Sequence, residues 1–459
     1  MVFLKNWGEI DERIDPAFYL NIMLLYKNIV SKAAYPVSTF REKVSMQRGR
    51  FGHRPRNDPQ YYDGAYPFIQ TGNVVKASTN NEKIEFTQTL NELGLSTSRL
   101  FDEKAVIITI AANIGYSAIL DYPACFPDSL VALTTKDNSI LLEYLNLYIR
   151  IIRDYIENLA PQAAQKNINL KQMSKLPIIV PDLDTQKLII SIMEKVYKEK
   201  IQREKEAQAL LESIDGYLLQ ELGIKVQETK ESILKNRVFI SSFSDVFNGR
   251  LDPNFYNGVV QFNDAIYNGK FPVVDMHKLI VSITNGVEIR NYSEKGYRYL
   301  RVSDMGKNGM VDNNIRFVDI PNIPHKIQLT LNDLLISRSG SLGLANIVTE
   351  ELEKTVLSSH IFRVRLLETT DKWYLQEYLR SSLGQYQFFK LNNGGIIPEI
   401  TQDALRKIKV CIPPIEKQRI ISEHIRLIRS AAEKLVVCSG EIINSAVLNI
   451  KKILFGGKL

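Results

Sequence analysis

Short apolar runs separated by polar turns make up most of two long stretches of this chain. The runs are rich in Val, Ile and Leu and are bounded by clusters of Gly, Asn and Asp, which is typical of β-strands joined by turns. Stretches with helical spacing interrupt them. The strand-like runs are residues 106–110, 176–180, 334–337 and 361–367, and the helical stretches are residues 140–155 and 373–387. Each stretch is therefore predicted to fold as a mixed α/β domain.

A long helix is predicted after each of these domains. Residues 185–222 and 416–455 keep a helical periodicity, and Gly223 and Gly456 follow at positions where glycine commonly ends a helix. With a rise of 1.5 Å per residue, each helix would be about 57 Å long. A domain of about 180 residues is smaller than this, so most of each helix needs a partner other than its own domain.

The two predicted helices carry an apolar seam with three- and four-residue spacing. The seam residues are Ile189, Met193, Val196, Ala207, Leu210 and Ile214 in the first helix, and Ile421, Ile425, Ile428, Ala432, Leu435, Ile442, Ala446 and Ile453 in the second. Lys200 and Arg203 interrupt the first seam. A stripe of this kind predicts a partner helix of similar length, and the simplest partner is the other long helix. The alternative is that each helix packs on its own domain.

The chain contains an internal duplication. Arg13-Ile-Asp-Pro-Ala-Phe-Tyr19 recurs as Arg250-Leu-Asp-Pro-Asn-Phe-Tyr256, and Leu176-Pro-Ile-Ile-Val-Pro181 recurs as Ile408-Lys-Val-Cys-Ile-Pro413. Gln186 and Gln418 open the two long helices at matching places. The copies lie about 230 residues apart, which is far too long a period for a solenoid and indicates a duplicated domain.

The predicted fold class is α+β, with two mixed α/β globular domains, each followed by a long helix. The two helices are expected to pair as an antiparallel coiled coil, and the duplication predicts an internal two-fold pseudo-symmetry. The predicted divisions are residues 1–184 for the first domain, 185–222 for the first helix, 223–236 for a polar linker, 237–415 for the second domain, and 416–459 for the second helix and tail.

The composition is that of an ordinary globular protein, with 45% hydrophobic and 24% charged residues among 459. The net charge of +7 is compatible with a nucleic-acid partner without requiring one. Three scattered cysteines argue against a zinc site and favour a reducing, cytoplasmic setting. The N-terminal segment lacks the apolar region of a signal peptide, and no run is long enough to cross a membrane.

Motifs for catalysis and cofactor binding are missing from the sequence. It has no GxxxxGK[ST] phosphate loop, no GxGxxG after a strand and no GxSxG elbow. Asp182 and Asp184 superficially suggest a nuclease site, but acidic residues are favoured at the start of a helix. Asp15-Pro16 and Asp252-Pro253 resemble part of a methyltransferase loop without its second proline, and are interpreted as turns. The chain is therefore predicted to be non-catalytic and to bind no cofactor or metal itself.

Three groups of polar residues are candidates for DNA binding. Arginine suits a phosphate backbone or a guanine edge, and Gln and Asn suit adenine. The first group is Arg48, Arg50, Arg54 and Arg56, the second is Gln70, Thr71, Asn73 and Lys76 at the end of a predicted strand, and the third, in the second repeat, is Arg301, Ser303, Asp304 and Lys307 with Arg338, Ser339 and Ser341. We expect Arg301 or Arg338 to read a base and the arginine-rich loop to contact mainly phosphate. The alternative is ordinary solvated loops.

The chain resembles the specificity subunits of type I restriction–modification systems over nearly its whole length. The resemblance rests on the alternation of domains and long helices and on two junctions. These are Ala164-Gln-Lys-Asn-Ile-Asn-Leu170 before Leu176–Gln186, and Ile397-Pro-Glu-Ile400 before Cys411-Ile-Pro-Pro-Ile-Glu-Lys-Gln418. The first junction has Pro-Asp where the second has Pro-Pro, and the first helix has a charged break.

The resemblance implies two target-recognition domains, each reading one half of a bipartite site in double-stranded DNA. It implies that the helices set the gap between the half-sites and dock two methyltransferase subunits. An endonuclease and translocase subunit would join for cleavage. S-adenosylmethionine and ATP would be bound by those partners.

Three other functions are compatible with parts of the sequence. One is a fused nuclease and methyltransferase, against which the missing motifs argue. Another is a coiled-coil adaptor with no role on DNA, against which the paired basic loops argue. The third is a specificity subunit of a type IIB-like restriction enzyme, which the sequence does not separate from type I.

Overall fold

A computed structural model describes residues 29–52, 58–158, 167–225, 265–312, 314–392 and 397–457. The chain divides into two compact units. Unit 1 comprises residues 1–204 and 437–459, and unit 2 comprises residues 205–436. The two Asp-Pro motifs and most of the predicted linker lie outside the described residues, as do Arg54 and Arg56 and the start of the first junction.

Unit 1 contains ten strands and six short helices among its described residues. The strands are β1 Val37–Thr39, β2 Val44–Arg48, β3 Tyr62–Phe68, β4 Gln88–Leu90, β5 Leu100–Phe101, β6 Ala105–Thr109, β7 Ser117–Leu120, β8 Ala124–Cys125, β9 Leu130–Thr135 and β10 Pro177–Ile179. The helices are α1 Phe40–Lys43, α2 Thr71–Asn80, α3 Glu92–Thr97, α4 Leu142–Ile151, α5 Arg153–Asn158 and α6 Leu170–Ser174. The long helix α7, Leu183–Leu222, begins in this unit.

Three sheets build unit 1. The largest has the antiparallel order β2-β9-β6-β7, and a mixed sheet has the order β4-β3-β8-β5 with β3 parallel to β8. Strand β6, the sequence AVIIT, is buried at every position, as expected of a central strand rich in β-branched residues. The pair β1-β10 joins the beginning and the end of the domain.

Unit 2 repeats this plan. Its strands are β11 Val273–Asp275, β12 Ile280–Asn285, β13 Tyr297–Leu300, β14 Arg316–Val318, β15 Leu334–Ser337, β16 Ala345–Ile347, β17 Thr355–Leu357, β18 Ile361–Leu366 and β19 Lys409–Cys411. Its helices are α8 Lys372–Arg380, α9 Ser382–Leu391, α10 Gln402–Arg406 and the start of the long helix α11, Ile415–Leu454. The sheets β12-β18-β15-β16 and β11-β19 match those of unit 1 in order and direction. The sheet β14-β13-β17 matches β4-β3-β8, and β5 has no counterpart strand among the described residues of unit 2. The predicted duplication of a mixed α/β domain is confirmed.

A pair of buried tyrosines ties a helix to the closing strands in each unit. On α4, the hydroxyls of Tyr144 and Tyr148 donate to the carbonyls of Ile179 and Pro177, at 2.7 and 3.0 Å. On α8, the hydroxyls of Tyr374 and Tyr378 donate to the carbonyls of Cys411 and Lys409, at 2.5 and 3.0 Å. Burial raises the pKa of all four phenols, so they act as neutral donors.

The glutamines at the start of the long helices are buried and have equivalent partners. The carboxamide of Gln186 accepts a hydrogen bond from the backbone N–H of Leu141 at 2.9 Å and donates to the carbonyl of Pro181 at 2.9 Å. Gln418 accepts from the N–H of Asp371 at 2.9 Å and donates to the carbonyl of Pro413 at 2.8 Å. These contacts fix the direction in which each helix leaves its domain.

The long helices begin and end close to the predicted positions. Asp182 accepts from the N–H of Thr185 at 2.8 Å, so it caps the first helix, as the helix-start interpretation of this acidic residue predicts. Gly223 and Gly456 have φ angles of +67° and +59°, the left-handed conformation that ends a helix. Across the charged break, α7 stays helical, and Arg203 pairs with Glu199 one turn earlier at 2.7 Å.

Within each unit, segments of both long helices share one hydrophobic core with the sheets. In unit 1, the core contains Ile189, Met193 and Tyr197 from the first part of α7 and Ala446, Ile450 and Leu454 from the last part of α11. In unit 2, it contains Ile214, Leu218 and Leu222 from the last part of α7 and Ile421 and Ile425 from the first part of α11. The segments are therefore paired with opposite polarity in both units, which confirms the predicted antiparallel helix pair.

Of the other predicted seam residues, Ala207 and Ala432 are buried, and the larger side chains are only partly buried. Val196 and Ile428 pack against the edges of these cores, and Leu210, Leu435 and Ile442 are half-buried. No helix in the described part of the chain is both long and apolar enough to span a bilayer.

Candidate nucleic-acid interface

In unit 1, the arginine-rich and glutamine-containing loops meet at the loop that precedes β9. This loop, residues 126–129, is called the hub loop of unit 1. The backbone N–H of Arg50 donates to the carbonyl of Phe126 at 3.0 Å, and Nε of Arg48 donates to the carbonyl of Asp128 at 2.6 Å. The hydroxyls of Thr71 and Ser129 lie 3.2 Å apart. Two candidate groups that are separate in the sequence therefore form one surface.

The predicted polar strand end, Gln70 to Asn73, is the first turn of a helix. Strand β3 ends at Phe68 and α2 begins at Thr71. The expectation that these residues end the strand is therefore wrong, because they begin the helix that follows it. Helix formation is favoured because the carboxamide of Asn73 accepts from the backbone N–H of Gln70 at 2.8 Å, as in a capping box. Gln70 also donates to the exposed carboxamide of Gln88.

The equivalent turn in unit 2 has the same geometry with different residues. Asp304 accepts from the backbone N–H of Arg301 at 2.8 Å, as Asn73 does from Gln70. It also accepts from Nε and Nη2 of the Arg301 side chain at 3.1 and 2.7 Å. The hydrogen bonds to Asp304 raise the pKa of Arg301. In each turn, the residue three positions after the first therefore holds the turn, and the residues before it differ between the repeats.

A second hub loop, residues 357–360, precedes β18 and organises the loops of unit 2. The N–H of Arg338 donates to the carbonyl of His360 at 2.9 Å, and the N–H of Val287 donates to the carbonyl of Leu357 at 2.8 Å. Ser358 donates from its N–H to the carbonyl of Leu300 at 2.9 Å. Strands β9 and β18 occupy the same position in their sheets, so the two hub loops are equivalent.

A cleft of about 440 Å³ opens beside this second hub loop. It brings together Arg301, Ser303 and Ser339, which the sequence analysis proposed separately. The cleft is also lined by Glu288, Arg290, Tyr292 and His360, which the sequence analysis missed. The guanidinium of Arg316 lies 5.6 Å from the centre of the Tyr292 ring, which adds positive charge near the cleft.

Arg338 and its turn form a compact structure at the edge of β15. Its guanidinium pairs with Glu399 and lies 5.5 Å from the centre of the Phe362 ring. The hydroxyl of Ser337 donates to the carbonyl of Ser341 at 2.5 Å, which closes the turn. In unit 1, residues 110–113 occupy the equivalent turn, with Ala111 bridged to Asn167 as Ser339 is bridged to Glu399.

The two candidate lysines lie elsewhere. Lys76 pairs with Glu85 on the surface at 2.8 Å. Lys307 lines a separate cavity together with Glu377 and Arg380, beside the long helices. The structure therefore does not bring either lysine to the hub loops. Among the described residues, no group of three or more His, Cys, Asp or Glu side chains could hold a metal ion.

The comparisons with known proteins agree with this architecture. The chain matches the family described as type I restriction modification DNA specificity domain over residues 50–213 and again over residues 282–429. A solved chain from a study of complex assembly and conformational transition of the type I restriction–modification system superposes with a TM-score of 0.53, at 13% identity, covering 92% of this chain and 98% of that one. This chain therefore shares the fold of that solved chain.

Two further solved structures are similar at lower scores. The S subunit of a type I restriction–modification system from M. genitalium has a TM-score of 0.41 at 13% identity, covering 92% of this chain and 96% of that one. The HsdS subunit from Thermoanaerobacter tengcongensis has a TM-score of 0.39 at 14% identity, covering 92% and 97%. Since the family match extends over more than half of the sequence, in two copies, this chain belongs to the type I restriction–modification DNA specificity family, as a specificity subunit with two recognition domains.

Proposed function

We propose that this specificity subunit reads a bipartite DNA site, with one half-site bound at the hub loop of each unit. The observation that carries the proposal is the repeated convergence of polar loops on the loops before β9 and β18. Residues brought together in this way can follow both the backbone and the base edges of a duplex. Because the loops differ in sequence while the turns that hold them are alike, the two half-sites are expected to differ.

The proposed contacts in unit 1 combine phosphate binding with base reading. Arg48 and Arg50 are exposed beside the hub loop, where cationic side chains favour the DNA backbone. Gln70 and Thr71 present a carboxamide and a hydroxyl from the first turn of α2, and a carboxamide suits adenine. Arg54 and Arg56 belong to the same loop in sequence and are proposed as additional phosphate contacts.

The helix pair is proposed as the docking surface for two methyltransferase subunits. Leu188 and Ile420 lie two residues after the equivalent glutamines Gln186 and Gln418, and their side chains are 52% and 59% exposed. An exposed large apolar residue repeated at the same helical position supports a pair of equivalent contacts. An endonuclease and translocase subunit is proposed to complete the cleaving complex.

The subunit itself is proposed to be non-catalytic. Its sequence lacks a phosphate loop and the glycine-rich cofactor motifs, so S-adenosylmethionine and ATP are assigned to the partner subunits. Its contribution to the reaction is then to select the site and to hold the methyltransferase subunits on it.

Duplex binding by the isolated chain is expected to weaken steeply with salt. With six or more phosphate contacts, affinity should fall by about a thousandfold between 50 and 200 mM salt. Replacing both Arg48 and Arg50 with alanine should reduce the slope of log K against log salt by about 1.8. Fluorescence anisotropy with a labelled duplex measures both quantities.

The matched control replaces Lys200 and Arg203, which pair with Glu204 and Glu199 along α7, and should leave the slope unchanged. Equal slopes for the wild type and the Arg48 and Arg50 double variant would show that these two arginines do not contact phosphates. Methyl transfer by the purified chain alone would contradict its non-catalytic role.

A further inference from the structure

The loop after β12 in unit 2 is the structural counterpart of the arginine-rich loop in unit 1. Gly49 follows β2, and its N–H donates to the carbonyl of Leu130 at 2.9 Å; Gly286 follows β12, and its N–H donates to the carbonyl of Ile361 at 3.2 Å. At both glycines, a Cβ would collide with a carbonyl oxygen of the hub loop. The close approach of backbone to backbone thus requires glycine at both positions and aligns the two loops.

This correspondence brings residues 287–292 to the interface of unit 2. Their sequence is Val-Glu-Ile-Arg-Asn-Tyr, with a single arginine, whereas Arg50, Arg54 and Arg56 follow Gly49 in unit 1. Glu288, Arg290 and Tyr292 all line the cleft of about 440 Å³ described above, together with Ser339 and His360. The loop therefore reaches the place where the other polar loops of the unit converge.

Arg290 and the two arginines that the sequence analysis proposed as base contacts differ in how far their guanidinium groups are already bonded within the protein. Both Nε and Nη2 of Arg301 are held by Asp304, and Nη2 also donates to the carbonyl of Asn314 at 2.7 Å. Arg338 is held by Glu399 and is mostly buried. The side chain of Arg290 is 86% exposed, and within the described part of the chain its one ion pair joins Nε to Glu288 at 2.9 Å. Arg290 is thus the most accessible of the three to a ligand.

The pairing of Arg290 with Glu288 favours a base edge over a phosphate. A carboxylate beside the guanidinium cancels its charge and would repel a phosphate, whereas a base pair offers both acceptors and donors. Hydrogen bonding from Arg290, its charge, and the hydroxyl of Ser359 lower the pKa of Glu288, so this carboxylate stays ionised as an acceptor. In the major groove, guanine presents the O6 and N7 acceptors and cytosine presents the N4 donor.

We propose that Glu288 and Arg290 together read one G·C base pair of the half-site bound by unit 2, with Arg290 on guanine and Glu288 on the cytosine amino group. The inference rests on the proposed function, since it places a duplex in the cleft. In this proposal, Arg301 and Arg338 hold the walls of the cleft through their bonds to Asp304 and Glu399 and do not read a base. Tyr292 and His360 line the same cleft and border the pair.

The test is to map methylated sites in a host that expresses this chain with its methyltransferase subunit, by sequencing that resolves modified bases. The Arg290→Ala variant should lose the G·C requirement at one position of one half-site, with discrimination there falling roughly tenfold to a hundredfold. The other half-site should keep its sequence. Arg290→Lys should also relax that position, because lysine lacks the bidentate geometry.

Arg406→Ala is the matched control, since Arg406 pairs with a nearby carboxylate, Asp403, at 3.0 Å and does not line the cleft. It should leave the motif unchanged. An unaltered motif with Arg290→Ala, or a uniform loss at all sites that Arg290→Lys restores, would overturn the proposed base contact while leaving the function intact. Absence of any bipartite motif with the wild-type chain would instead refute the proposed function.

Discussion

Replacing Glu377 with alanine is expected to lower the free energy of unfolding of unit 2 by about 3 kcal/mol. The carboxylate on α8 is 2% exposed and joins two arginines. It accepts from Nη1 of Arg380 at 3.0 Å, and from Nη2 and Nε of Arg429, on α11, at 2.5 and 3.0 Å. Its removal would leave two guanidinium groups poorly solvated and without their counter-ion. Burial lowers the pKa of Arg380 to about 10 even with Glu377 present.

The internal repeat supplies a matched control for this cluster. In unit 1, the equivalent positions carry Leu147, Arg150 and Tyr197, and the guanidinium of Arg150 lies 5.2 Å from the centre of the Tyr197 ring. The double variant Glu377→Leu with Arg429→Tyr transfers this arrangement to unit 2. It should recover much of the stability that Glu377→Leu alone loses, because one arginine is removed together with the carboxylate and the new tyrosine ring covers Arg380, as Tyr197 covers Arg150 in unit 1.

Urea unfolding of the full chain in a Trp7→Phe background measures this effect. Trp373 is then the single tryptophan and lies on the same helix as Glu377, so its fluorescence reports on unit 2. A loss below about 1 kcal/mol for Glu377→Ala would mean that water solvates the arginines adequately. A double variant less stable than Glu377→Leu would show that the two repeats do not accept each other's residues here.

Lengthening both long helices by one turn is expected to lengthen the spacer between the half-sites. Four residues inserted after Ile201 in α7 and four after Val436 in α11 add about 6 Å to each helix. DNA rises about 3.4 Å per base pair, so the spacer should grow by one or two base pairs. Both half-sites should keep their sequence, since the hub loops are untouched.

The two insertion points lie where the apolar seam is weakest. Ile201 is exposed within the charged break, and Val436 is exposed on the second helix. Inserting four residues in α7 alone is the control, because it shifts one helix against the other and should reduce methylation instead of changing the motif. Mapping of methylated sites distinguishes these outcomes. An unchanged spacer with full activity in the double insertion would show that the helix pair does not set the spacer length.

The large-scale organisation was predictable because it depends on periodicity. Apolar spacing and terminal glycines were enough to predict the two long helices, and the structure places the helix ends within two residues of the predicted ends. The duplication was readable from short motifs at a constant separation. A further signal was available and missed, the pairs Tyr144 with Tyr148 and Tyr374 with Tyr378, which have the same spacing and the same role.

The candidate interface was less predictable because its parts meet only in three dimensions. The hub loops, Phe-Pro-Asp-Ser and Leu-Ser-Ser-His, carry no charge pattern, yet the other loops converge on them. The residue type of Arg301 favoured a base contact. In the structure its side chain is bonded to Asp304, and the only local signal for this bond was the presence of Asp304 three residues later. The same three-residue spacing, in Gln70 and Asn73, was the capping signal that predicts a helix instead of a strand end.

Independent reading by two domains is tested most directly by exchanging one domain. Residues 37–180 run from the start of β1 to just beyond β10, and these two strands pair, so the exchanged segment begins and ends at one place in the fold. The segment is replaced with that of another family member, and methylated sites are mapped with the methyltransferase subunit present. The account predicts that one half-site changes completely while the other half-site and the spacer length are retained. A change in both half-sites, or in neither, would contradict it.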